Sequence, residues 1–373
     1  MSNLLLAAEG TGVLDDGVAR SLLLHIQLLL SPKAPKFEPQ ALSNSLWSLA
    51  KLGHAGGQEL LPAAAVAVMQ HGCMLGATPQ NWSNLVWAYA KLGQQQPDSH
   101  EGCQGLCRYV AEQVVQHGCM CGAAPQNWSN LVWAFAKLRH YEEGRAVLDH
   151  AIATCPALLQ DISALGITQL LYACATMHYT CGMGQLLDDM LPHIRDRLGQ
   201  HSGQDMADSF NGHALANSCW SLVMLGLSSH PAMEDLMREA NRHQHQPGYF
   251  TQEGLSQLWQ AQLELQKQGL HGLTGQLHEE ARRAWKDRGA EADGRPEEGL
   301  QPHPASQSVA SGGVAASVPE GSYVQQGQRD AATAGSGPPP AGLPPAPAAE
   351  LLGMRPPPSS LGGTTTGDWW AWL

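Results

Sequence analysis

Gln70–Leu92 reads QHGCMLGATPQNWSNLVWAYAKL, and Gln116–Leu138 reads QHGCMCGAAPQNWSNLVWAFAKL. The two differ only at Leu75/Cys121, Thr78/Ala124 and Tyr89/Phe135, at an offset of 46 residues. A long echo of this kind marks a repeat array, and an array sets the fold class. It also moves the functional question from a closed pocket to an extended surface.

Working outward, the phrase Leu-x-Asn-x-x-Trp-x-x-Ala-Lys-Leu recurs, in full or in part, around Trp47 (LSNSLWSLAKLG), Trp87, Trp133 and Trp220 (LANSCWSLVMLG). Weaker copies surround Tyr172 (ITQLLYACATMH) and Trp259 (LSQLWQAQLEL). The anchors lie 40, 46, 39, 48 and 39 residues apart, which suits a pair of helices per unit of about 38–40 residues with short insertions. On a helical wheel started at Leu42, the residues Leu46, Leu49, Ala50 and Gly53 fall on one face and Trp47 on its edge. Asn44, Ser48 and Lys51 fall opposite, and this period excludes a strand. Pro39, Pro79 and Pro125 stand where a proline opens a helix, and Gly53, Gly93 and Gly226 where a glycine closes one. Second helices are expected at Glu59–His71, Gly105–His117 and Gln185–Leu198.

The expected fold is all-α, an α-solenoid of about six helix-pair repeats. Residues 1–36 form an N-terminal capping half-repeat built on LLLHIQLLL (Leu22–Leu30), a run far too short to span a bilayer. Residues 37–286 form the array, closed by Leu273–Trp285. Residues 287–373 are Gly-, Pro-, Ala- and Ser-rich, as in GSGPPPAGLPPAPAA, and are expected to be disordered. Their last segment, GDWWAWL, is either an exposed apolar end or a short docking peptide.

The formal net charge is −12, and the array to Lys286 holds 17 basic and 24 acidic residues. That balance opposes bulk attraction to nucleic acid and leaves room for a local basic stripe. Nine scattered cysteines, with no signal peptide in view, suit free thiols in a reducing compartment. Cys103, Cys107, Cys119, Cys121 and His117 invite a metal reading, but His117-Gly-Cys119 copies His71-Gly-Cys73, so the repeat accounts for the spacing. No paired carboxylates, Ser/His/Asp set or phosphate-cradling glycine loop stands out, and no catalysis, cofactor or small-molecule substrate is expected.

The phrases LSNSLWSLAKLG and QNWSNLVWAYAKLG, at this spacing, resemble the octotricopeptide repeats. These are abundant in green algae and related to the helical region of FAST-kinase-like and RAP-domain proteins. The resemblance runs over Phe37–Trp285, and LSQLWQAQLELQ resembles the segment that often closes such arrays. It implies an α-solenoid that binds single-stranded organellar transcripts, in chloroplast or mitochondrion, and governs their stability, processing or translation. The chain departs from that pattern in its short, acidic array. The text after the array does not resemble a RAP domain, and MSNLLLAAEG (Met1–Gly10) lacks transit-peptide character, which leaves the cytoplasm as the other location.

The stripe opposite the core carries Asn44, Ser48 and Lys51, then Asn84, Ala88 and Lys91, then Asn130, Ala134 and Lys137. Weaker units supply Gln169, Ala173 and Thr176, then Asn217, Ser221 and Met224. A residue repeated in every unit cannot read a sequence, so the lysine row suits RNA phosphates and equally a helix C-terminus. The row Asn44, Asn84, Asn130 and Asn217 suits either RNA contact or a ladder in which each amide bonds the backbone of a neighbouring unit. Base reading falls to the variable positions Ser45/Leu85/Leu131 and Ser48/Ala88/Ala134. Trp47, Trp87, Trp133 and Trp220 are able to stack on bases, but burial between units, about 4–6 kcal/mol each as an upper bound, outweighs that. The competing expectation is a protein-binding scaffold that makes no RNA contact.

Overall fold

The computed structural model describes residues 16–30, 37–54, 56–93, 100–155, 157–199 and 209–292. The low-complexity text and GDWWAWL lie outside them. Among the described residues there are thirteen helices and no strand. A capping helix, α1 (Asp16–Leu29), precedes six pairs. The pairs are α2 (Pro39–Lys51) with α3 (Gly56–His71), α4 (Pro79–Gly93) with α5 (His100–Val115), and α6 (Pro125–Lys137) with α7 (Tyr141–Thr154). They continue with α8 (Ala164–Thr176) and α9 (Met183–Gly199), α10 (Gly212–Met224) and α11 (Pro231–Arg242), and α12 (Gln252–Lys267) and α13 (Gly275–Ala292). The last helix runs past Lys286 to Ala292.

The even-numbered helices stack in sequence, α2 on α4 on α6 on α8 on α10 on α12, and form one layer. The odd-numbered helices form the second layer, with α1, α3, α5 and α7 packed in order and α9 on α11. One hydrophobic core runs through the stack from Ile26 to Ala281. The architecture is an α-solenoid, in which each pair completes its neighbour's core.

Local signals explain the helix ends. Prolines open α2 and α6, and Asn127 Oδ1 reaches back to the Ala124 N–H at 3.2 Å. In the second half, side-chain caps take over. Ser163, Asn211 and Thr251 accept hydrogen bonds from the N–H groups of Gly166, Ala214 and Gly254 at 3.0, 2.8 and 3.1 Å. At the other end, the N–H groups of His54, His140, Tyr179 and Leu227 donate to the carbonyls of Leu49, Phe135, Cys174 and Leu222, a six-residue return that needs a left-handed residue just before the donor. Gly53 (φ 60°) and Gly226 (φ 73°) supply it, whereas Arg139 (φ 61°) and His178 (φ 52°) take the same strained conformation with a side chain. Gly93, expected to close its helix in this way, is instead the last helical residue of α4.

Hydroxyls and amides lock the register between even helices. Asn81 Nδ2 donates to Ser43 Oγ at 3.2 Å, Asn127 Nδ2 to Ser83 Oγ at 3.3 Å, and Ser129 Oγ to Gln169 Oε1 at 3.1 Å. Thr168 and Ser218 continue the series with their hydroxyls 3.3 Å apart. Each of these groups is held in an otherwise apolar seam, where an unmade bond costs about 1–3 kcal/mol.

Candidate nucleic-acid interface

An even-numbered helix inside the stack touches the even helix before it, the one after it, and its own odd partner. Only a narrow strip of its surface is left. Ser48, Ala88, Ala134, Ala173 and Ser221, expected on the exposed stripe, are therefore buried. Ser45, Leu85 and Leu131 are buried as well, so neither set of variable positions is placed to read bases. A wheel of one helix shows two faces and cannot register three neighbours.

The strip that remains carries Asn44, Trp47 and Lys51 on α2, with Asn84 and Lys91 on α4 and Asn130 and Lys137 on α6. Trp47 and Trp87 have ring centroids 6.2 Å apart, Trp87 and Trp133 6.4 Å, and Tyr172 and Trp220 6.0 Å. Burial rises along the first three, from half-buried Trp47 to 4 % exposure at Trp87 and 0 % at Trp133. The tryptophan row is thus mainly structural, and Trp82 and Trp128 are core residues.

Each lysine lies four residues after its tryptophan, on the same side of the helix, and its ammonium covers the rings. Lys51 Nζ is 5.3 Å from the Trp47 centroid. Lys91 Nζ is 5.7 Å from Trp87 and 5.6 Å from Trp133 of the next unit. Lys137 Nζ is 5.5 Å from Trp133 and 4.5 Å from Tyr172 of the next. Cation–π contacts of this kind are worth about 0.5–2 kcal/mol each, according to their desolvation. They fix the three ammonium groups in a line, one per unit. The helix dipole explanation alone leaves that alignment unaccounted for, since it asks only for a charge near each last turn.

The row is electrostatically stressed. Burial, then the charges of Lys137 and Lys51, push the Lys91 ammonium down to about 8 from its ordinary 10.5. The same field extends two units further than the lysines do. His213 on α10 is pushed down to about 4 by burial, then by Lys137 and Lys91. It is therefore neutral at pH 7, and its Nε2 accepts from Asn217 Nδ2 at 2.7 Å. His213 and Tyr172 were not among the expected site residues. The recurrence of an aromatic four residues before each lysine position was the signal for Tyr172, but none in the sequence pointed to His213.

The asparagine row divides. Asn130 Oδ1 accepts from Gln169 Nε2 at 2.9 Å, and Asn217 Oδ1 from Gln257 Nε2 at 2.7 Å. These two amides belong to a ladder between units. Asn44 and Asn84 stand half-buried on the lysine strip. Past Lys137, the lysine position is occupied by Thr176, Met224 and Glu264, so the basic character is confined to the first three units.

Among the described residues no three His, Cys, Asp or Glu side chains converge as a metal site would require, and no helix is long and apolar enough to cross a membrane. No family model matches the chain, and no curated protein matches its sequence. Fold and surface together define an α-solenoid with a rail of three aromatic-backed lysines along its even-numbered helices.

Proposed function

We propose that this rail binds single-stranded RNA through its phosphates, and that the protein acts on organellar transcripts after transcription, as the octotricopeptide resemblance implies. The observation that carries the reading is the alignment of Lys51, Lys91 and Lys137, one per unit, each held over its own ring and, for two of them, over the next unit's ring as well. A polyanion whose charges recur along its length matches a row of cations that repel one another, and relieves that repulsion. The excess negative charge elsewhere on the chain is screened beyond about 8 Å at physiological salt, so a local basic rail survives it.

Phosphate contact dominates in this mode. Trp87 and Trp133 are too buried to stack on bases, while Asn44 and Asn84 offer free-standing amide positions on the strip where base edges or riboses pass. Binding is therefore weakly selective over the first three units. Selectivity, where present, comes from Tyr172, Trp220 and the polar groups beyond them.

Fluorescence anisotropy with labelled oligo-U and oligo-A RNA, an RNA duplex and poly-glutamate tests the proposal on the full chain. Single-stranded RNA binding more tightly than duplex and than poly-glutamate is the expected order. Poly-glutamate binding as tightly as RNA transfers the rail to acidic peptides, the scaffold reading, and overturns this one.

A further inference from the structure

One feature of the sequence has no part in the RNA reading: three tryptophans and one aspartate within the seven residues GDWWAWL, Gly367–Leu373. We propose that this segment docks in cis on the lysine–aromatic rail and competes with RNA for it. As a regulator of that surface, it rests on the RNA reading; as an occupant of it, it does not.

The rail asks for two things of a protein ligand. Ammonium groups attract π faces, and a row of like charges favours negative charge. GDWWAWL supplies both, with Trp369, Trp370, Trp372 and Asp368. Residues 356–373 contain that one acidic residue and no basic one, so nothing in the segment opposes the lysines. Half-buried Trp47, Tyr172 and Trp220 flank the lysines and offer apolar edges for the incoming rings.

Reach is sufficient. Seven residues span at most roughly 23 Å, more than the two ring steps of 6.2 and 6.4 Å that cover the first three units. The segment is joined to the last described helix through the 74 residues 293–366. A stretch of that length reaches at most roughly 240 Å, enough for any unit of the array. Because the segment belongs to the same chain, its encounter with the rail is intramolecular and independent of protein concentration.

The test uses the full chain and its Trp369→Ala/Trp370→Ala/Trp372→Ala variant, whose changes lie outside the described helices. Without RNA, each is acetylated with a water-soluble ester and the modification of every lysine is followed by mass spectrometry. Lys51, Lys91 and Lys137 are expected to react about threefold faster or more in the variant, while Lys267, whose side chain is 72 % exposed on α12, reacts equally in both. Carbodiimide is expected to join Asp368 to a rail lysine within one molecule, and the variant is expected to bind RNA more tightly. Equal acetylation rates overturn the proposal, as do Asp368 cross-links found only between copies. Faster acetylation in a protein that binds no RNA upholds the docking and removes the RNA reading; equal acetylation with RNA binding does the reverse.

Discussion

Lys91 holds its proton less tightly than an ordinary lysine because burial, and then the charges of Lys137 and Lys51, disfavour its ammonium form. An RNA phosphate beside it restores the charged form, so near pH 8 the complex carries more protons than its free parts. Affinity for RNA is therefore predicted to fall as pH rises from 7 to 9. Calorimetry in buffers of different ionisation enthalpy would register proton uptake at pH 8, and a pH-independent affinity would remove Lys91 from the contact. The sign for folding is separate. The unfolded lysine titrates at 10.5 and the folded one at about 8, so its contribution to stability is complete above 10.5 and is lost as pH falls to 8. Lys91→Met, which never carries that charge, should gain most over the natural protein at pH 7 in thermal melts, and the difference should shrink as pH approaches 10.5. Two other residues carry strain of a different kind. Arg139→Gly and His178→Gly put glycine where Gly53 and Gly226 already serve, and each is predicted to stabilise by about 1 kcal/mol in urea unfolding, with no change in RNA binding.

The even-numbered helices are recognisable in the text from a proline or a capping side chain at the start and apolar spacing through the helix, joined after α2, α10 and α12 by a left-handed glycine. Second helices were legible from their apolar spacing, with shifted ends: Glu59–His71 became Gly56–His71, Gln185–Leu198 became Met183–Gly199, and Gly105–His117 became His100–Val115, which starts five residues earlier. What the text did not disclose was depth. Ser48 and its counterparts look polar or small on a wheel, and those are the side chains that let even-numbered helices approach each other on both flanks. A ladder between units exists at Asn130 and Asn217, but it runs to the side chains of Gln169 and Gln257 and not to the neighbouring backbone. Its energetic weight is open to measurement: Gln169→Leu removes the partner of Asn130 Oδ1 and of Ser129 Oγ, and is predicted to destabilise the chain by about 1–3 kcal/mol in denaturant unfolding. A neutral outcome would mean that the seam between α6 and α8 is held by apolar packing alone.

Units that stack only on their neighbours make the molecule tolerant of losing one. Residues 79–124 comprise one whole copy of the repeat, and their removal joins Thr78 to Pro125, re-creating the natural junction of Thr78 with PQNWSN. The shortened chain is predicted to remain helical by circular dichroism and to melt cooperatively at a lower temperature, with one fewer lysine on its rail. Aggregation or loss of helix would contradict the modular stack. The array itself was plain from the echo of Gln70–Leu92 in Gln116–Leu138. The rail was half legible, since lysine and tryptophan four residues apart share a side of one helix, but the reach of Lys91 and Lys137 to the ring of the following unit depends on how closely successive helices approach. The direct test of that rail is the salt dependence of RNA binding by the full chain and by Lys51→Gln/Lys91→Gln/Lys137→Gln. Three phosphate contacts predict a slope of about −2 in log K against log salt for the natural protein and close to zero for the variant, with both folded by circular dichroism. An unchanged slope in the folded variant would contradict the account.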